Sequence, residues 1–197
     1  MSLQRSVVTE AAELEALRPE WDDLLARTAT NEPMLSPLWL LAWWRVFGAL
    51  DGRRLAALVC RDGDRLVGLA PLLERGHRYP PGIPFRRLEV MGTGEDEADE
   101  ICSEYVGVLA ARGAGADVAE AVAAAPAEGA LGPWDELSIS PMDGTSPMPA
   151  LLASALSRRG LAAELESIGS SPYIELPRSF PAYLGALSSS SRYLITR

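Results

Sequence analysis

The chain contains no lysine: all 18 of its basic residues are arginines, in a total of 197. That absence removes any Schiff-base lysine and any P-loop lysine from consideration. With abundant Ala, Gly and Pro it reads as a compositional bias rather than a functional signal. Histidine is equally scarce. His77 is the only imidazole, and Cys60 and Cys102 stand far apart without a Cys-x-x-Cys, so a zinc site of the usual kind is excluded and no metal is expected. No Gly-x-Ser-x-Gly elbow exists for His77 to serve. Both cysteines sit in apolar or strand-like surroundings and read as buried free thiols. No apolar run is long enough to span a bilayer, because Leu38–Leu50 is interrupted by Arg45, and the first residues lack the apolar core of a signal peptide. A cytoplasmic location is expected. With 27 acidic residues the net charge is −9, and the arginine pairs 53–54, 86–87 and 158–159 are scattered among acids, which argues against nucleic-acid binding.

What the chain does have is pattern. "LAALVCRDGDRLVGLAPLL" places two apolar runs around Asp62-Gly63, the signature of a hairpin, and the near-continuous apolarity predicts central strands covered on both faces. "SVV" reads as a strand, followed by a helix from Glu13 that Pro19 kinks or divides. In "SPLWLLAWWRVFG", Ser36 suits an N-cap, Pro37 the first helical position and Gly48 the stop. Trp39, Trp43 and Phe47 recur at i, i+4 and i+8 as core. The apolar face is wide enough to predict a helix sandwiched between a sheet and something else, with Trp44 the aromatic exposed to a ligand or a neighbouring domain. "YPPGIP" predicts an extended loop and "FRRLEVMG" a strand. Further strands are expected at Tyr105–Leu109, in "WDELSIS" and in "LAAELESIGSSPYIELP", with helices after Gly115, in "SPMPALLASALSRRG" and in "SFPAYLGAL". Helices and strands therefore alternate, with hairpins among them, as in a mixed-sheet α/β protein.

Two stretches carry possible chemistry. In "YVGVLAARGAGADVAEAV" a strand, an Arg/Gly loop and a helix follow one another, an order that can aim backbone N–H groups at a phosphate. The plain reading is a strand–helix turn with Asp117 as N-cap, and it outweighs the other because a short glycine loop is weak evidence. "GEDEADEICSEY" collects six carboxylates, which read first as a solvated loop. Asp99 and Glu104, nearest the following strand, are the candidates for a general base if the loop faces a cleft.

Taken together, "EWDDLLART", "PMLSPLWLLAWWRVFG", "LAALVCRDGDRLVGLAPLLERG" and "FRRLEVMGTG" resemble, in that order, the N-terminal part of the CelD-like acyltransferases of the GNAT superfamily. A more distant similarity is to the Fem-type aminoacyl transferases, whose Tyr-x-Pro-Arg-Gly-Pro loop "YPPGIP" echoes with Pro81 in place of the arginine. The resemblance implies a largely antiparallel GNAT-like sheet with helices on both faces, occupying residues 1–178. It also implies that 179–197 begin a helix leading into a second GNAT-like domain. It implies acyl transfer from acetyl-CoA or another acyl-CoA to a small sugar or amine acceptor of the cell envelope. Arg112, Gly113 and Gly115 would then match the Q/R-x-x-G-x-G/A pyrophosphate loop, with Asp117 where Gly or Ala belongs. Asp99 or Glu104 would be the catalytic base, and Trp44 and Tyr79 would contact the acceptor. Partners would be a second GNAT-like domain or a second copy. A non-catalytic module that binds a protein partner is the alternative.

Overall fold

The computed structural model describes residues 3–197. Its strands in chain order are β1 (Gln4–Val8), β2 (Arg54–Leu55), β3 (Ala57–Asp62), β4 (Arg65–Ala70), β5 (Leu72–Tyr79), β6 (Ile83–Val90), β7 (Leu109–Ala110) and β8 (Glu136–Ser138). Its helices are α1 (Ala11–Ala16), α2 (Arg18–Ala26), α3 (Pro37–Phe47), α4 (Gly115–Ala127), α5 (Met148–Arg158), α6 (Phe180–Ala186) and α7 (Ser189–Thr196). The chain divides into a unit ending at Glu166 and a second, Ser167–Arg197.

The first sheet has the order β1-β3-β4-β7 and is antiparallel throughout. Its β3–β4 hairpin pairs Asp62 with Arg65, so the turn is made by Gly63, at φ +57°, and Asp64. Alternate residues face opposite ways. Ala57, Val59 and Leu69 therefore pack with Leu14, Trp21 and Leu40 of α1–α3, while Leu58, Cys60 and Ala70 pack with Val118 and Val122 of α4 and Leu152 of α5. Helices on both faces account for the unbroken apolarity of these strands. Gly68 lets α4 approach, since a Cβ there would lie 2.6 Å from a Val118 methyl.

The second sheet has the order β2-β5-β6-β8, with β8 parallel to β6 and the other pairs antiparallel. The fold is thus mixed α/β with mostly antiparallel sheets. On one face of this second sheet the charges interlock. Arg75 bonds Glu89 at 2.6 Å, and Arg87 bonds Glu136 at 2.9 Å. The Tyr79 hydroxyl donates to Glu136 and accepts from Arg87, both at 2.5 Å. His77 lies on strand β5, with its ring edge-on to Tyr79.

The tryptophan helix forms as its end signals predict: the Ser36 hydroxyl accepts from the Trp39 N–H at 3.2 Å, and Gly48 ends it. Trp43 is buried against Phe47, and Trp39 and Trp44 are half-buried. Trp39 departs from the expected core position because its indole N–H needs a polar partner, which it finds in the Ser103 hydroxyl at 3.1 Å. Nor is the helix sandwiched. Within the first unit nothing covers its third side, where Leu38 and Val46 are 70% and 65% exposed.

Other expectations fail for local reasons. "YPPGIP" is a tight turn joining paired strands, with Tyr79 opposite Ile83, rather than an extended loop. The strand expected from Tyr105 shrinks to Leu109–Ala110 because Cys102 and Tyr105 take φ near +50° and Gly107 takes +153°. That backbone also leaves Cys102 exposed; Cys60 alone is buried, and burial pushes its thiol up to about 11. Residues 161–178 form no strand, since alternation without a hydrogen-bonding neighbour is not sufficient. In the second unit, Ser179 and Ser188 cap α6 and α7 by accepting backbone N–H bonds.

Candidate functional site

The glycine loop is built by the end of β7 and the start of α4. The Ala111 N–H bonds Val67 O at 2.9 Å, extending the sheet ladder, and the chain then turns at Gly113 with φ +83°. A Cβ at Gly113 would meet nothing within 4 Å, so the backbone conformation, not crowding, asks for glycine. The C-terminal end of α2 holds the loop in place. Arg112 N–H donates to Arg27 O at 3.0 Å, and the Arg112 Nε donates to Thr28 O at 3.1 Å. Arg27 is itself fixed by Asp23 and by the Leu66 carbonyl, each at 2.9 Å.

The first α-helical hydrogen bond of α4 runs from Val118 N–H to Ala114 O. The N–H groups of Gly115, Ala116 and Asp117 therefore point out of the helix end, where the backbone dipoles favour an anion. Asp117 is not the N-cap. Ala114 occupies that position and makes no side-chain cap, which puts Asp117 in the first turn. There its carboxylate complements the helix dipole but opposes an incoming phosphate.

Two grooves flank the loop. One, of about 650 Å³, is lined by Arg27, Arg65 and Arg112 with Asp62 and Asp117. The other, of about 330 Å³, runs along β7 between Thr28–Thr30 and the start of α5, with Leu35, Ser146 and Leu151 in its walls. Among the described residues β7 is hydrogen-bonded to a strand on one side only. Arg112 and Gly113 line both grooves, and Gly115 the second.

Of the residues singled out in the sequence, Arg112, Gly113 and Gly115 are brought together here, and the other four are not. Trp44 walls a separate concavity of about 550 Å³ with Glu10, Arg54, Glu74 and Leu131. That concavity lies by Ala130–Gly132, just past the far end of α4, a helix about 20 Å long at ~1.5 Å per residue. Tyr79 belongs to the charged face of the second sheet. Its hydrogen bond to Glu136 pushes its hydroxyl above the ordinary tyrosine value. Burial alone would raise Glu136, but the bonds from Tyr79 and Arg87 outweigh it and hold the carboxyl below its usual range. His77 is pushed down, first by burial and then by Arg87 and Arg75. Asp99 ends a short 3-10 turn, Glu97–Asp99, and is exposed, as is Glu104, whose backbone N–H meets the Met34 sulfur at 2.9 Å. Neither lines either groove.

Arg27, Arg65, Thr28, Thr30 and Ser146 escaped the sequence reading, since their meeting depends on α2, the β3–β4 hairpin and α5 converging on one loop. The charged face of the second sheet did leave a trace, the period-two spacing of Arg75, His77 and Tyr79 and of Phe85, Arg87 and Glu89. Among the described residues no cluster of three or more His, Cys, Asp or Glu could hold a metal, and no helix is long and apolar enough to cross a membrane.

No protein-family model matches the sequence, and no curated protein matches it. Solved structures do show similarity. A ribosomal-protein-alanine N-acetyltransferase from Brucella melitensis aligns at 14% identity over 89% of this chain and 100% of its own, with a TM-score of 0.45. An integron cassette protein from the mobile metagenome of V. cholerae aligns at 12% identity over 95% and 99%, with a TM-score of 0.44. A transcriptional regulator from Bacillus halodurans aligns at 17% identity over 86% and 99%, with a TM-score of 0.42.

Proposed function

We propose that this chain is an acyltransferase of the GNAT type, the N-terminal half of a two-lobed enzyme. It takes an acyl-CoA donor and modifies a sugar or amine acceptor of the cell envelope or exopolysaccharide. One observation carries the reading. The edge strand β7 of an antiparallel sheet ends in a loop whose Gly113 turns the chain, so that the N–H groups of α4 open beside two grooves. Arg112 and the first turn of α4 would hold the donor's phosphates. The unpaired side of β7 would face its acyl arm. In the transfer, a base accepts a proton from the acceptor, the acceptor attacks the thioester carbonyl, and the thiol leaves as coenzyme A, with a backbone N–H facing the oxyanion. Asp99 and Glu104 are the carboxylates proposed for the base, although neither lines either groove.

Binding is tested first, by titrating coenzyme A while following thermal unfolding. A saturable rise in Tm is expected. Asp117→Asn should tighten binding by about two- to fivefold, the worth of one charge at a helix end. Release of coenzyme A from acetyl-CoA at an unchanged rate in Asp99→Asn and Glu104→Gln would remove both from the mechanism. A partner-binding module without activity is the second reading, favoured by Asp62 and Asp117 lying in the larger groove. It predicts no saturable shift with coenzyme A.

A further inference from the structure

One face of the first unit and the whole of the second unit expose complementary surfaces. On α3, Leu38, Ala42 and Val46 follow one another at i, i+4 and i+8, all exposed. The acidic loop is fastened beside this strip by the Trp39–Ser103 bond, by the indole N–H of Trp43 on Glu95, and by Glu104 on Met34. Within that loop Ile101 and Tyr105 are each 38% exposed. The result is an apolar strip with Glu95, Asp96, Glu97, Asp99, Glu100 and Glu104 along one flank.

The unit Ser167–Arg197 has the opposite character. Neither α6 nor α7 contains a buried residue, and Phe180, Tyr193, Leu194 and Ile195 are all exposed. Helices this short do not persist in water on propensity alone, so they need a surface to cover them. This unit holds Arg178, Arg192 and Arg197 against the single acid Glu175, while the other 26 of the 27 acidic residues lie before it.

We infer that two copies of this chain pair reciprocally, the basic, apolar unit Ser167–Arg197 of each lying on the α3 face and acidic loop of the other. Charge complementarity matches the two surfaces, and the occupant we choose is a second copy: a two-fold axis makes the contact twice, whereas a tail laid on its own α3 face makes it once. The pairing does not rest on acyl transfer, but it would cover the loop that carries Asp99 and Glu104.

Sedimentation velocity of the full chain, from low micromolar concentration upward and at low and high salt, tests it. A dimer at low salt that weakens as salt rises is expected. A face variant, Leu38→Glu with Val46→Glu, and a tail variant, Tyr193→Glu with Leu194→Glu, should each weaken it by about tenfold or more. Mixing the two variants should restore a dimer, because one intact face and one intact tail remain. Arg192→Glu, at an exposed position, repeats the test without touching an apolar residue. A wild-type chain that stays monomeric overturns the inference, as do variants that dimerise unchanged. A mixture that stays monomeric also overturns it, since the tail would then be covered by its own chain or not at all.

Discussion

Adjacent tryptophans do different work. Trp43 is 3% exposed, packs on Phe47 with the Arg53 guanidinium 5.5 Å from its ring, and ties the acidic loop to α3 through Glu95. Trp44, 100° further round the helix, covers Gly48 and opens onto the Glu10–Glu74 concavity. Trp43→Ala should therefore cost about 3–5 kcal/mol and Trp44→Ala about 1–2 kcal/mol, measured by urea unfolding. Equal losses would contradict the packing described. The i, i+4, i+8 spacing of Trp39, Trp43 and Phe47 was enough to place one side of α3 inward. It could not tell that Trp39 would sit at the rim, because its polar neighbour Ser103 comes from a loop far along the chain.

At the scale of elements, the contact between α4 and the first sheet depends on Gly68 having no side chain. Gly68→Ala would drive a methyl into Val118 and should destabilise the chain by about 1–3 kcal/mol. Because the same helix carries the glycine loop, coenzyme A affinity should fall with it if the loop is the donor site. Strand β8 is anchored differently. Asp135 accepts two guanidinium bonds and one backbone bond from Arg86, and these hold its carboxyl down at about 2 against an ordinary 3.8. A carboxyl lowered on folding adds stability above its unfolded pKa and loses that share as pH falls towards the folded value. The stability gap between wild type and Asp135→Asn should thus be constant above about pH 5 and close towards pH 2. A gap that persists at pH 2 would place the role of Asp135 in packing rather than charge. Which strands would be neighbours lay outside any local pattern: β6 and β8 are parallel and separated by the whole of β7 and α4.

For the molecule as a whole, the two units should differ in cooperativity. Backbone amides of β3 and β4, in the middle of a sheet covered on both faces, should exchange with solvent only by global opening. Those of α6 and α7 should exchange orders of magnitude faster at low protein concentration, since neither helix buries a residue. If copies pair through this unit, that exchange should slow as concentration rises while β3 and β4 stay unchanged. Hydrogen exchange followed by mass spectrometry separates the two cases. Exchange in α6 and α7 as slow as in β3 at every concentration would mean the tail is part of one cooperative body.

The sequence by itself determined the pieces whose cause is local. Ser36-Pro37 starts a helix because a hydroxyl and a missing N–H suit its first turn, and Gly63 turns a hairpin because φ +57° suits a residue without a side chain. A glycine turn between β7 and α4 was legible for the same reason. Only the tertiary structure decided what depends on distant chain segments meeting. It placed Arg27, Arg65 and Ser146 around that turn, set Trp44 beyond the other end of α4, and left residues 161–178 without the strand partner their alternation would need. Backbone conformation answers to the nearest few side chains, whereas a binding groove, a buried charge or a paired edge is made by whichever surface the folded chain brings alongside.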